Sequence, residues 1–177
     1  MLFHSTRGGD KDKNFASILM QGLADDGGLF MPDYWPQVDL EKITGLQSFV
    51  EVAKEIVPLF TASSFTQAET IKIVENTWHD FEHQDLVGIQ TIENISVLEL
   101  FHGPTAAFKD FGLQLAAAFF NEVLEKEDKT ALVFRGYFRG YRFGCHRCLS
   151  LLCTHQKFYH AAQWQHVRCA KKADEHH

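Results

Sequence analysis

Long apolar runs are absent from this sequence. The longest mainly apolar stretch, LQLAAAFF after Gly112, is far shorter than the roughly 20 residues that cross a bilayer. The opening segment, MLFHSTRGG, has no apolar signal core, and only 4 prolines and 12 glycines occur in 177 residues, which excludes a collagen-like chain. The sequence therefore predicts a soluble, cytoplasmic, globular protein with no membrane partner.

Cysteine and positive charge are both scarce in the first three quarters of the chain. Residues 1–134 contain no cysteine and 9 of the 17 Lys and Arg residues, but 21 of the 23 Asp and Glu residues, a net charge of −12. Residues 135–177 contain all 4 cysteines, 6 of the 10 histidines and a net charge of +6. Such an abrupt change in composition indicates a separate segment.

Three helix starts are predicted in the acidic part. Asn14 precedes apolar residues at helical spacing, so it is a candidate N-cap. Ser48 with Glu51, and Thr66 with Glu69, fit the capping box, in which a hydroxyl and a carboxylate bind the free N–H groups of a first turn.

The helix after Thr66 is predicted to carry Trp78 and Phe81 on its apolar face. His79 and His83 would then lie one turn apart, a spacing compatible with a metal pair. Since no third ligand is identifiable, we predict solvent-exposed histidines instead.

A strand–helix–strand pattern follows. Residues 86–92 and 95–101 are predicted strands, the second apolar enough to be buried on both faces. A helix is predicted over 108–127 and a strand over 130–134. This order is typical of a parallel βαβ unit, so we predict an α/β fold with a mostly parallel sheet.

The segment HGPTAAFKD, residues 102–110, lies between the second strand and the long helix. Loops at the carboxyl ends of parallel strands bind ligands in such folds. Lys109 stands where the positive end of the helix dipole favours an anion, and a lysine amine there could also form a Schiff base. A solvated charge is the alternative that the residues alone leave open.

Three segments together resemble the threonine synthase family. They are STRG (5–8), QGLADDGGLFMP (21–32) and LELFHGPTAAFKDF (98–111), in the family's order and spacing. The family uses pyridoxal phosphate (PLP), and its fold resembles the tryptophan synthase β-subunit group.

The resemblance implies a division of the chain. Residues 1–94 correspond to the threonine synthase N-terminal domain, and residues 95–134 to the beginning of a PLP-binding, fold-type II α/β domain. Residues 135–177 are predicted to be a poorly ordered tail.

Site residues follow from the same resemblance. It implies that Lys109 holds pyridoxal 5'-phosphate as a Schiff base and moves protons on the substrate. Thr105 and Phe108 would contact the cofactor, while Asp110 would orient or cap the start of the helix. The residues implied on the substrate side are Ser5, Thr6, Arg7 and His102.

The implied activity is the conversion of O-phospho-L-homoserine and water to L-threonine and phosphate, by a PLP-dependent carbon–oxygen lyase acting on phosphates. The implied partner is this small-molecule substrate. Two alternatives remain open. One is a non-catalytic regulatory or binding fragment that keeps the N-terminal domain, and the other is a threonine-synthase-like phospholyase.

The resemblance ends where the composition changes. The family continues with a glycine-rich loop of the type GATSGDTGSAAI, whereas this chain reads RGYFRGYRFGCHRC from Arg135. Codons permitted for residues 136–148 read ATSGDTGSAAID when they are shifted by one base. We therefore predict that residues 135–177 are an out-of-frame translation and that this truncated chain is inactive as an enzyme by itself.

A zinc site or a nucleic-acid contact is the competing interpretation of the basic tail. A zinc finger needs a second closely spaced ligand pair and defined apolar positions, which the tail lacks. We therefore predict no metal site and no nucleic-acid partner. The ligands such a site would use are Cys145, Cys148, Cys153, His155, His160 and Cys169.

Overall fold

The computed structural model describes residues 1–133 together with the backbone of residues 158–160. Helices and strands are mixed, as predicted for an α/β protein. The helices are α1 (Phe15–Gln21), α2 (Leu40–Thr44), α3 (Phe49–Thr61), α4 (Gln67–Glu75) and α5 (Lys109–Lys126). The strands are β1 (Phe3–Ser5), β2 (Phe30–Pro32), β3 (Gly88–Ile92), β4 (Ile95–Glu99), β5 (Ala131–Val133) and β6 (Phe158–His160).

The predicted helix starts are confirmed. The side chain of Asn14 accepts a 2.8 Å hydrogen bond from the Ser17 N–H at the start of α1. Both predicted capping boxes, at the starts of α3 and α4, are formed in both directions. These caps depend only on residues three positions apart, which is why the sequence alone reveals them.

Helix α4 ends earlier than predicted. It stops at Glu75, and the Asn76 side chain donates a 2.7 Å hydrogen bond to the Lys72 carbonyl. The prediction that Trp78 and Phe81 belong to this helix was therefore wrong; both follow it, outside any helix. His79 and His83 are not one helical turn apart, because neither lies on a helix.

The apolar interior consists of two groups of side chains that both contact α5. The first surrounds the buried residues Ala53, Val74, Trp78 and Leu86. The second surrounds Phe65, Ile73, Phe119 and Val123. Since α5 contributes Phe111 to the first group and Phe119 to the second, this helix is held along most of its length.

Three two-stranded sheets are present among the described residues. β1 pairs with β2 and β3 with β4, both antiparallel, and β5 pairs in parallel with β6. Strand β4 was predicted to be buried on both faces, but Ile95 is 68% exposed and Leu98 is 54% exposed. The predicted βαβ unit is also not formed in this part of the chain, because β4 pairs with β3 in a hairpin rather than with β5.

Almost all residues of the tail, 135–177, lie outside the described part of the chain. Only the backbone of 158–160 belongs to it, so the out-of-frame and zinc-site hypotheses stay predictions. The proposed division after residue 94 coincides with the turn that joins β3 and β4. No helix within the described residues has the length and apolar character required to cross a membrane.

Candidate functional site

Lys109 is the first residue of α5, as predicted, and its side chain is partly buried. Its Nζ lies 5.9 Å from the centre of the Phe108 ring, which is itself 65% exposed. The residue before the helix is Phe108, whose side chain makes no capping hydrogen bond. An amine beside an exposed aromatic face at the positive end of a helix is a suitable place for an anionic aromatic ligand.

Asp110 closes the preceding loop onto the start of α5. Its Oδ2 accepts a 2.8 Å hydrogen bond from the Thr105 N–H, and its Oδ1 accepts a 2.5 Å bond from the Thr105 hydroxyl. The residue is 1% exposed. Thr105, predicted to contact the cofactor, is therefore held in place by the Asp110 carboxylate.

Gly103 permits this closure. A Cβ at this position would lie 2.6 Å from the Asp110 Cβ and closer still to its Oδ2. The loop then turns through Ala106, whose N–H donates a 2.9 Å bond to the Gly103 carbonyl and whose φ is +54°. A non-glycine residue in this left-handed region is uncommon and indicates a backbone held by its surroundings.

The first turn of α5 is also held from the opposite side. The Trp78 indole donates a 3.0 Å hydrogen bond to the Phe111 carbonyl. The Phe111 ring packs against Phe81 at 4.8 Å and against Phe49 at 5.1 Å between centroids. Trp78 and Phe81 were assigned to α4 from the sequence, so this second support of the loop was missed.

His102 opens the loop and is held by Glu99. Its Nε2 lies 2.9 Å from the Glu99 Oε2, and its ring lies 4.7 Å from the rings of both His83 and Phe101. His83 is accordingly half-buried rather than solvent-exposed, whereas His79 is exposed as predicted. His102 thus opens the same loop that contains Thr105 and Phe108 and that leads into Lys109.

Ser5, Thr6 and Arg7 form a different group around the turn after α1. The Ser5 hydroxyl donates to the Asp26 carboxylate at 2.6 Å, and the Arg7 guanidinium donates to the Asp26 carbonyl at 2.9 Å. Thr6 accepts a 3.0 Å bond from the Leu29 N–H. Side-chain hydrogen bonds therefore connect Ser5, Thr6 and Arg7 to the turn 24–29.

Asp26 organises this turn and was not predicted as a site residue. Its carboxylate also accepts 2.8 Å bonds from the N–H groups of Gly9 and Gly28. The Ser5 hydroxyl, the Gly28 and Gly9 N–H groups and the Arg7 charge lower the pKa of Asp26 below its ordinary value of 3.8. The Asp-Asp-Gly-Gly sequence indicated a turn, but it did not reveal that its second aspartate bonds Ser5, the last residue of β1.

A comparison with known protein families identifies the family that this chain resembles. The family described as "Threonine synthase N terminus" matches residues 2–78. Residues 2–78 are similar to the threonine synthase N-terminal family. The resemblance found from three sequence segments is therefore confirmed.

Individual relatives extend the match into α5. The threonine synthase of Pseudomonas aeruginosa is 40% identical over 137 residues, which cover 75% of this chain and 29% of that protein. Threonine synthase-like 2 of Homo sapiens is 35% identical over 140 residues, covering 77% of this chain and 29% of that protein. The chain thus spans less than a third of the length of these relatives.

Solved threonine synthases share the fold. The PLP-bound enzyme from Brucella melitensis is 39% identical, with a TM-score of 0.68 over 73% of this chain and 29% of that structure. The yeast enzyme is 31% identical, with a TM-score of 0.67 over 74% of this chain and 29% of that structure.

Proposed function

We propose that this chain is the part of a threonine synthase that presents the cofactor lysine, Lys109. The carrying observation is the position of this amine at the first residue of α5, behind a loop closed by Asp110. The relative from Brucella melitensis is a PLP-bound threonine synthase, which supports the same cofactor here. The corresponding substrate would be O-phosphohomoserine, converted with water to threonine and phosphate.

The residues around Lys109 fit pyridoxal phosphate. The partly buried amine can bind the cofactor covalently, and the exposed Phe108 ring offers an apolar surface beside it. Gly103 leaves no side chain between the loop and the helix start, so the loop packs closely there. When bound, pyridoxal phosphate supplies an electron sink for charge that develops on the substrate.

The chain's own contribution is orientation and proton transfer. Lys109 Nζ is the group that would move protons at the Cα and Cβ atoms of the substrate. Such transfer needs the amine within hydrogen-bond reach of those atoms, and the closed loop limits the directions in which the side chain can extend. The described residues would therefore contribute to the reaction by fixing the position of the Lys109 amine.

Covalent labelling tests the proposal. The chain is incubated with pyridoxal phosphate, the imine is reduced with borohydride, and the modified lysine is located by peptide mass spectrometry. We expect the label on Lys109 and its loss in Lys109→Ala, while the matched control Lys72→Ala, an exposed lysine of α4, labels normally. A label spread evenly over the lysines would refute the proposal.

A threonine-synthase-like phospholyase is the second candidate. Its support is the 35% identity to threonine synthase-like 2 of Homo sapiens, close to the 40% identity to the Pseudomonas aeruginosa threonine synthase. Incubation with O-phosphohomoserine separates the two: equal amounts of phosphate and threonine identify a synthase, and phosphate without threonine identifies a phospholyase. If Lys109 is labelled but neither product forms, the chain attaches the cofactor without catalysing the reaction.

A further inference from the structure

Both oxygens of the Asp110 carboxylate accept hydrogen bonds from one residue that lies five positions earlier. Thr105 donates its N–H to one carboxylate oxygen and its hydroxyl to the other, at 2.8 and 2.5 Å. Hydrogen bonds to a charged acceptor are stronger than those between neutral groups. This pair of bonds, here called the Thr105–Asp110 clamp, therefore joins the loop to the helix start.

The clamp encloses the segment that leads into Lys109. Within it, Ala106 has a φ of +54° and is bonded to the Gly103 carbonyl, and the Asp110 N–H donates a 3.0 Å bond to the Ala107 carbonyl. A left-handed residue persists only where its surroundings determine it. The clamp supplies that constraint from one end of the segment.

The other end of the segment is fixed by the aromatic interior. Phe111 follows Asp110 directly, and its carbonyl accepts the Trp78 indole bond at 3.0 Å. Lys109 thus lies between a hydrogen-bonded loop and a packed helical turn. Its backbone has little freedom to rotate, so its Cα–Cβ bond leaves the helix in a fixed direction.

We propose that Asp110 is a positioning residue for Lys109, which acts through Thr105 by holding the loop 103–108 closed. This inference depends on the proposed function, since it assigns Asp110 a role in how Lys109 meets pyridoxal phosphate. Asp110 itself does not touch the reacting atoms. Its contribution is the orientation of the neighbouring amine.

Graded substitutions test the clamp through its chemistry. Asp110→Ala removes both acceptors, and Thr105→Val removes the hydroxyl while keeping the N–H donor. Asp110→Asn keeps an oxygen that can accept from the Thr105 N–H. Its amide N–H faces the Thr105 hydroxyl, which can accept this bond instead of donating one. Thr105→Ser keeps both donors and is the conservative variant expected to restore the wild-type behaviour.

Two measurements are made on each variant. Hydrogen exchange of the Thr105 amide reports whether the clamp is closed without any cofactor, and it is expected to accelerate at least about tenfold in Asp110→Ala. Borohydride trapping reports the share of pyridoxal phosphate on Lys109, which is expected to fall about tenfold in Asp110→Ala and Thr105→Val. Thr105→Ser and the control Asp80→Ala, an exposed aspartate, are expected to label like the wild type.

The outcomes separate this inference from the proposed function. If wild-type Lys109 does not label, the proposed function fails. If wild-type Lys109 labels, the clamp opens in Asp110→Ala and Lys109 still labels equally well, the positioning role is wrong. Protection of the Phe119 and Val123 amides, inside α5, verifies that each variant is folded; should Asp110→Ala not fold, Thr105→Val decides by the same criteria.

Discussion

The indole nitrogen of Trp78 donates a 3.0 Å hydrogen bond to the main-chain carbonyl of Phe111, 33 residues further along the chain. Trp78 is buried, and its ring packs edge-on against Phe49 at 5.0 Å between centroids. One side chain therefore connects the segment after α4 to the first turn of α5. The helix start that carries Lys109 depends on this connection.

Trp78→Phe is expected to destabilise the protein by about 1–3 kcal/mol, because a part-buried hydrogen bond is lost and the smaller ring leaves space in the interior. The measurement is the free energy of unfolding in urea, followed by circular dichroism. Trp35→Phe is the matched control, since Trp35 is 63% exposed, and it should change the stability by roughly 0.5 kcal/mol or less. Equal effects of the two substitutions would contradict the role of the indole bond.

The buried hydroxyl pair between α3 and α4 gives a second prediction. Thr61 and Thr70 are joined by a 2.8 Å hydrogen bond between their hydroxyls, and both are almost fully buried. Thr61→Val leaves the Thr70 hydroxyl without this partner, at an expected cost of about 1–3 kcal/mol. Adding Thr70→Val removes the stranded group, so the double variant should be less destabilised than the sum of the single variants. A strictly additive double-mutant cycle would contradict this interpretation.

The pH dependence of the stability gives a third prediction. The Lys126 ammonium, bonded at 2.9 Å, and the Thr66 N–H lower the pKa of Glu69 from 4.5 to about 2. Because the folded pKa is the lower one, this stabilisation is complete above pH 4.5 and is lost as the pH falls towards 2. Urea midpoints measured across this range should fall less steeply in Glu69→Gln than in the wild type. Glu122→Gln, at an exposed position of α5, should keep the wild-type slope.

The bond between Ser5 and Asp26 gives a fourth prediction. Its hydroxyl is the largest cause of the lowered pKa of Asp26. Ser5→Ala should therefore raise the pKa of Asp26 towards its ordinary value of 3.8, as measured by NMR titration of the carboxyl carbon. The exposed Ser17→Ala is the control and should leave this titration unchanged. An unaltered pKa of Asp26 in Ser5→Ala would contradict this, because the Gly9 and Gly28 N–H groups and the Arg7 charge would then suffice.

Some of the contacts behind these four predictions can be recognised in the sequence, and others cannot. The capping box of Thr66 with Glu69 is visible in the sequence because its members are three residues apart. The bond between Glu69 and Lys126 is not, because it joins residues from α4 and α5. Likewise, Asp26 was predicted as part of a turn, but its partner Ser5 comes from β1.

The sequence by itself determined the starts of α1, α3 and α4, the approximate extent of α5, the place of Lys109 in its first turn and the resemblance to the threonine synthase N-terminal family. These follow from short-range hydrogen bonding, from helical periodicity and from motifs read directly. Only the tertiary structure decided that β4 turns back on β3, that α4 ends at Glu75 and that Thr105 and Trp78 hold the start of α5. Strand pairing and burial depend on which distant segments meet, and a single chain's local pattern does not contain that information.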